Sequence, residues 1–283
     1  MLRSIAGARQ VSRNNGFARS SAAAIVAAFV LSSAPADAQV SDVADATVLG
    51  WSLSNLRIGL RFAPDYMGSD DYRLRPSGSI NISRRGRQPT FGAPDDGVSL
   101  GLFGGQDWSA GLSGRWRSGR DDDGDLTGFA KIDGTVEAGA FVNYWPKVWL
   151  RLRGEARHGF GGHGAWVADL GADFIWREAP LVVSVGPRLC WGEDKFIRTY
   201  FSVDPTEAAR SPFGIAPYAP DGAAWTAGLV VSAERRVSRH WSVAAVGQYR
   251  RLLGDAADSP IVADLGSPDQ FSATLGVRYT LGR

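Results

Sequence analysis

His158, His163 and His240 are the chain's whole supply of imidazole. The first two flank a glycine-rich turn, "HGFGGHGA". Two imidazoles so placed could hold part of a metal site or serve as a general base. A zinc-type site needs further ligands at a telling spacing, and the sequence offers none. We read both histidines as polar tips of a loop, and His240, just before Trp241, as interfacial. The acidic run "DDDGD", Asp121 to Asp125, supplies oxygen ligands suited to calcium. It lacks the glutamate-terminated twelve-residue loop of an EF-hand, so it reads as a solvated loop able to meet lipopolysaccharide through divalent cations. Ser69, Ser211 and Ser259 fall in turns with no histidine placed to activate them. Cys190 is the lone cysteine, so no internal disulfide forms, and it reads as a small strand residue. The expectation is a protein that is not an enzyme and holds no metal or cofactor.

Charge is the other chemistry on offer. "PDYMGSDDYRLRP", Pro64 to Pro76, begins as a turn and then alternates Tyr72 and Leu74 against Arg73 and Arg75. Alternation of apolar and polar residues marks a strand with two unlike faces. It recurs along the chain. Leu150, Leu152, Gly154 and Ala156 alternate with Arg151, Arg153, Glu155 and Arg157, in a segment that starts at Val148 and Trp149. Trp225 to Glu234 and Phe271 to Leu281 repeat the pattern. Similar segments occupy about 51–62, 98–104, 108–118, 131–144, 165–177, 181–191 and 240–251, with a short one at 88–93. Helical periodicity is nearly absent. "DPTEAARS", Asp204 to Ser211, is the one expected helical turn, with Asp204 as its N-cap.

The first 38 residues read as an export leader. Arg3, Arg9, Arg13 and Arg19 precede an apolar run from Ala22 to Leu31 and a small-residue motif, Ala36-Asp37-Ala38. That run is too short for a spanning helix, which needs about 20 apolar residues. The leader carries four of the 31 Lys+Arg and one of the 29 Asp+Glu, leaving 27 basic and 28 acidic residues in 39–283. A nucleic-acid partner therefore loses its electrostatic support.

Connections alternate in size from residue 108 onward. "GGQD" (104–107), "WPK" (145–147) and "REAP" (177–180) are short, while 119–128, 158–165, 192–223 and 252–269 are longer. Short turns at one end and long loops at the other describe an all-β, closed antiparallel up-and-down barrel rather than a sandwich. In an outer-membrane barrel the apolar face meets lipid and the polar face lines the lumen. Aromatics near strand ends, including Tyr72, Trp108, Tyr144, Trp166, Trp176 and Trp241, fit interfacial girdles. We expect about 12 transmembrane strands, or 10 if 88–93 and a neighbour are loop. The lumen-facing set is then Arg57, Arg61, Arg73, Arg75, Arg115, Arg117, Asp133, Glu137, Arg151, Arg153, Glu155, Arg157, Asp169, Asp173, Arg188, Glu234, Arg250 and Arg278. Asp65, Tyr66, Asp70, Asp71 and Tyr72 are expected at an exposed, partner-facing turn, where Pro64 and Gly68 serve the backbone.

These strands carry five motifs in order: "APDYMGSDDYRLRP", "GRDDD", "GGHGAWVADLG", "TYFSVDPTEAARS" and "RLLGDAADSPIV". With them the chain resembles the MipA/OmpV family of outer-membrane proteins, the MltA-interacting proteins, from about Arg57 to Tyr279. Ser202 departs from the glycine expected after the Tyr-Phe pair. The resemblance implies residence in the cell outer membrane, among its lipid and lipopolysaccharide. It also implies a scaffold joining a lytic transglycosylase to a bifunctional penicillin-binding protein, murein-cleaving and murein-synthesising enzymes respectively. The alternatives are a narrow anion-leaning channel and an adhesin acting through long extracellular loops.

Overall fold

The computed structural model describes residues 47–48, 51–84 and 91–280, and the side chains of 55–80 and 91–280. The expected leader, 1–38, lies outside the described residues. The chain forms one curled, almost wholly antiparallel sheet. A two-residue strand, β1 (Thr47–Val48), pairs with the start of β2 (Trp51–Pro64). Then follow β3 (Tyr72–Arg84), β4 (Val98–Gly104), β5 (Trp108–Arg117), β6 (Thr135–Lys147), β7 (Leu150–Gly161) and β8 (Trp166–Glu178). The last four are β9 (Leu181–Gly192), β10 (Ala224–Arg236), β11 (Trp241–Leu253) and β12 (Asp269–Thr280). Neighbours in sequence pair from β4 to β12, and β2 pairs with both β12 and β3.

Among the described residues the curl is thus built from eleven strands, not twelve or ten, besides the two-residue β1. The strand expected at 88–93 is the difference. Residues 91–93 are not in a strand, and 88–90 lie outside the described residues. β3 and β4 meet in a short parallel pairing, Asn81↔Ser99 and Ile82↔Leu100. Two parallel strands cannot be joined by a tight turn, which sets β3 and β4 apart from the hairpins that follow.

The strands are inside out relative to a soluble domain. Along β7 the buried positions are Arg151, Arg153, Glu155 and Arg157, with Arg157 0% exposed, while Leu152 and Phe160 are 41% and 58% exposed. The convex face exposes Ile58, Leu60, Phe62, Leu112, Val142, Leu170, Leu229 and Leu275. So large an apolar surface suits lipid rather than water. Aromatics gather toward the strand ends: Trp241 packs on Tyr279 at one end, and Phe62 stacks on Tyr72 at the other.

Pro187 interrupts the pairing of β9 with β8, because it has no N–H to donate. Pairing with β8 runs from Leu170↔Leu189 and Gly171↔Arg188 to Phe174↔Val185, skipping the pairs between. Arg188 Nη1 instead donates to Ala172 O at 3.1 Å and Pro187 O at 3.0 Å.

One end of the sheet carries short turns, at 105–107, 148–149, 179–180 and 237–240. "WPK" belongs to β6, and the turn itself is Val148-Trp149. Trp149 stacks on Phe174 and so lies apart from the arginine face on which alternation placed it. The other end collects 65–71, 118–134, 162–165, 193–223 and 254–268. These are not loose loops. They fold over the end as a lid with two apolar clusters, one around Phe196, Ile197, Phe201 and Val262, the other around Leu126, Phe129, Val203 and Ile261. The expected helix is present as Pro205–Arg210, with a capping box between Asp204 and Glu207. Further helices at Asp194–Phe201, Asp255–Asp258 and Pro260–Ala263 went unforeseen.

Candidate functional site

Most of the expected lumen charges do face the concave interior, and they pair. Arg157 reaches Glu137 at 2.9 Å and also contacts Glu155 and Asp169. Arg117 meets the same Glu137 at 2.6 Å, and Arg115 meets Asp169 at 3.2 Å. Arg153 holds Glu155 at 2.7 Å and lies over the Phe141 ring at 4.2 Å. Buried charges demand such partners, because an unpaired ion in a poorly solvated site is costly. Alternation puts them on one face, since residues two apart in a strand share a side.

Two acids that alternation did not reveal complete the network. Asp95 and Asp96 lie in "APDDG", between β3 and β4, which reads as an ordinary turn. The turn sits inside the curl. Asp96 takes Arg151 at 2.6 Å, and Asp95 takes Arg188 at 2.9 Å and lies 4.0 Å from Arg250. Those arginines stand on β7, β9 and β11, so the return segment is gripped from several strands. Its own geometry is closed by Ala93 N donating to Asp96 Oδ2 at 2.9 Å. Arg151 and Arg188 also share Asp173, at 2.9 and 2.6 Å. Six arginines on β5, β7 and β9 therefore face six carboxylates.

The opposite wall is unbalanced. Arg57, Arg61, Arg250 and Arg278 come from β2, β11 and β12. Glu234 serves both Arg278, at 3.0 Å, and Arg57, at 3.6 Å. Among the described residues Arg61 donates to neutral groups alone, Gln248 and Ser272, each at 3.2 Å.

His163 is the residue the sequence misplaced most. It is fully buried rather than a loop tip. Gly161, Gly162 and Gly164 have positive φ and fold the chain back, which glycine does without steric cost. Gly159 leaves the space: a Cβ there would stand 2.2 Å from His163 Cε1. His163 Nδ1 accepts from Ala165 N at 3.1 Å, so Nε2 carries the proton and donates to Glu137 at 3.2 Å. Phe196 packs edge-on against this ring and also lies under Arg117, which ties the lid to the charged interior. His158 is likewise no loop tip. It belongs to β7, between Phe160 and Trp166. The glycine spacing of "HGFGGHGA" was the available signal for His163.

Other expected placements need correction. Asp133 is exposed in the connection before β6, outside the interior. Arg73 is 55% exposed in its side chain and pairs with Asp65 at 2.8 Å on the lid-side rim, and Arg75 joins the same carboxylate at 2.6 Å. Asp65 is thus a rim anchor rather than an exposed contact. Tyr66 packs against the second lid cluster, and burial raises its phenol pKa. Tyr72 is half-buried on Phe62, while Asp70 and Asp71 are exposed as expected. The whole turn lies at the lid end, away from the short turns. In the acidic loop, Asp121 pairs with Lys131 at 2.7 Å.

The arrangement is a packed ionic interior beneath a folded lid. No curated protein matches the chain. Similar solved structures are outer-membrane proteins. The NanC porin has a TM-score of 0.36 and 11% identity, over 81% of this chain and 100% of that one. OmpT of Vibrio cholerae has a TM-score of 0.34 and 8% identity, over 84% and 100%. OprD from Pseudomonas aeruginosa has a TM-score of 0.32 and 13% identity, over 82% and 67%. The family described as MltA-interacting protein MipA matches residues 56–281, nearly all of the described sheet, and the chain belongs to that family.

Proposed function

We propose that this protein is a non-catalytic barrel of the outer membrane that holds cell-wall enzymes at its short-turn, periplasmic end. The sheet closes through the short β3–β4 pairing, as lipid requires of any spanning sheet. The observation that carries the reading is the filling of the interior on the β5–β9 side by paired charges, with the lid folded over the mouth. Such a body is built to present a surface rather than to pass solute. At the short-turn end Val148 is 83% exposed, and Trp149 and Val237 are exposed too. Apolar turn tips of this kind suit a protein contact. The family's description names MltA as what its members interact with; in this reading the partner is a lytic transglycosylase, and a murein synthase joins as the second enzyme.

The test is binding of the detergent-solubilised full chain to a purified MltA-type lytic transglycosylase on a biosensor. Saturable binding, weakened by Val148→Asp and Val237→Asp, is expected. No binding by the folded, heat-modifiable wild type sinks the scaffold.

A further inference from the structure

We propose that Arg61, Gln248 and Arg250 form a binding site for a small oxyanion, a carboxylate or a phosphate, in the interior of the barrel. The site goes beyond the scaffold reading and does not depend on it.

Three observations meet there. The first is charge. The β5–β9 wall is neutral, six arginines against six acids, whereas of the four arginines on the facing wall only Arg57 and Arg278 pair with Glu234. Arg61 has no carboxylate within ion-pair distance among the described residues. It lies within electrostatic reach of three more arginines, Arg75, Arg115 and Arg250, and of one carboxylate, Asp95. The first two of those are already engaged, by Asp65 and Asp169. Arg250 is 4.0 Å from Asp95, whose two oxygens already accept from Arg188 at 2.9 and 3.0 Å.

The second observation is unspent donors. Gln248 is 8% exposed. Its Oε1 accepts from Arg61, which leaves the amide Nε2 facing elsewhere, and that donor has no acceptor among the described residues. Arg250 Nε is buried and equally without one. A buried donor without a partner costs about 1–3 kcal/mol, so two such donors, two residues apart on one face of β11, favour an acceptor supplied from outside the chain.

The third is access. Unlike the packed wall, Arg61 is open to solvent, so an ion reaches it without unfolding the network. Guanidinium groups present paired N–H donors that match the planar or tetrahedral edge of an oxyanion, and the ion relieves their mutual repulsion.

The experiment is isothermal titration of the full, refolded chain in uncharged detergent with sodium phosphate, and separately with sodium succinate, at fixed ionic strength set by chloride. Saturable binding of one ion is expected. Arg61→Gln and Gln248→Leu each weaken it about tenfold or more, the worth of one charge-assisted or buried hydrogen bond. Arg73→Gln, at the rim, leaves it unchanged. Saturation by phosphate alone assigns a phosphate site, and by succinate alone a carboxylate site. Saturation by neither, or equal affinity in Gln248→Leu, overturns the proposal. Gln248→Leu changes no charge and so decides the matter if Arg61→Gln does not fold.

Discussion

Arg151 grips Asp96 through two nitrogens, Nη1 at 2.6 Å and Nη2 at 2.9 Å, and so fixes the return segment between β3 and β4 to the wall of β7. The same guanidinium holds Asp173 of β8 through Nε at 2.9 Å. One side chain therefore joins two adjacent strands to the segment inside them.

Cutting that tie should loosen the segment. Asp96→Ala leaves Arg151 short of a partner in a site where breaking a buried pair costs about 3–5 kcal/mol. The wild type should be electrically silent in planar bilayers, and Asp96→Ala should show conductance steps. Steady steps from the wild type would contradict the filled interior.

Glu137 is the most shared acid. It accepts from Arg117, Arg157 and His163. Glu137→Gln removes the charge that two arginines require, and a loss of several kcal/mol follows from the same uncompensated burial. The temperature at which the barrel converts to its unfolded band on semi-native gels should drop clearly. A variant indistinguishable from wild type would mean that the arginines find other partners at no cost.

The lid has a core of its own, so it should fail separately. Phe201 is wholly buried, and truncating such a ring to alanine costs about 3–5 kcal/mol. In Phe201→Ala, limited proteolysis should open 193–223 while the strands stay protected and heat-modifiable. Simultaneous loss of both would show that lid and sheet fold as one unit.

Leu60 distinguishes lipid from water outside the sheet. It is 54% exposed and pairs with Leu275 of β12. On a soluble protein, Leu60→Arg would change stability by no more than about 0.5 kcal/mol. In a bilayer the cost is about 2–4 kcal/mol near the midplane. Urea unfolding in lipid vesicles measures the difference, and a neutral effect there would deny this face to the membrane.

The two-residue period determined a great deal by itself. It placed Arg151, Arg153, Glu155 and Arg157 on one face of β7 and their apolar neighbours on the other, because successive side chains of a strand point to opposite sides. It could not say which face was buried. The family motifs, in order along one chain, were likewise legible without coordinates. Tertiary structure decided what sits inside. Asp95 and Asp96 look like turn residues, since a turn and a plug use the same Pro-Asp-Gly chemistry, and only the parallel β3–β4 pairing sends that turn into the interior. His163 looked like a loop tip until the glycines folded it onto Glu137. Arg73 obeyed the alternation pattern yet lies at the rim, because alternation reports the side of a strand and not its depth, and Asp133 precedes the start of β6, where the strand pattern no longer applies. The helix at Asp194–Phe201 escaped notice for a related reason: its apolar residues bury against other connections far away in sequence, and no local period records a partner of that kind.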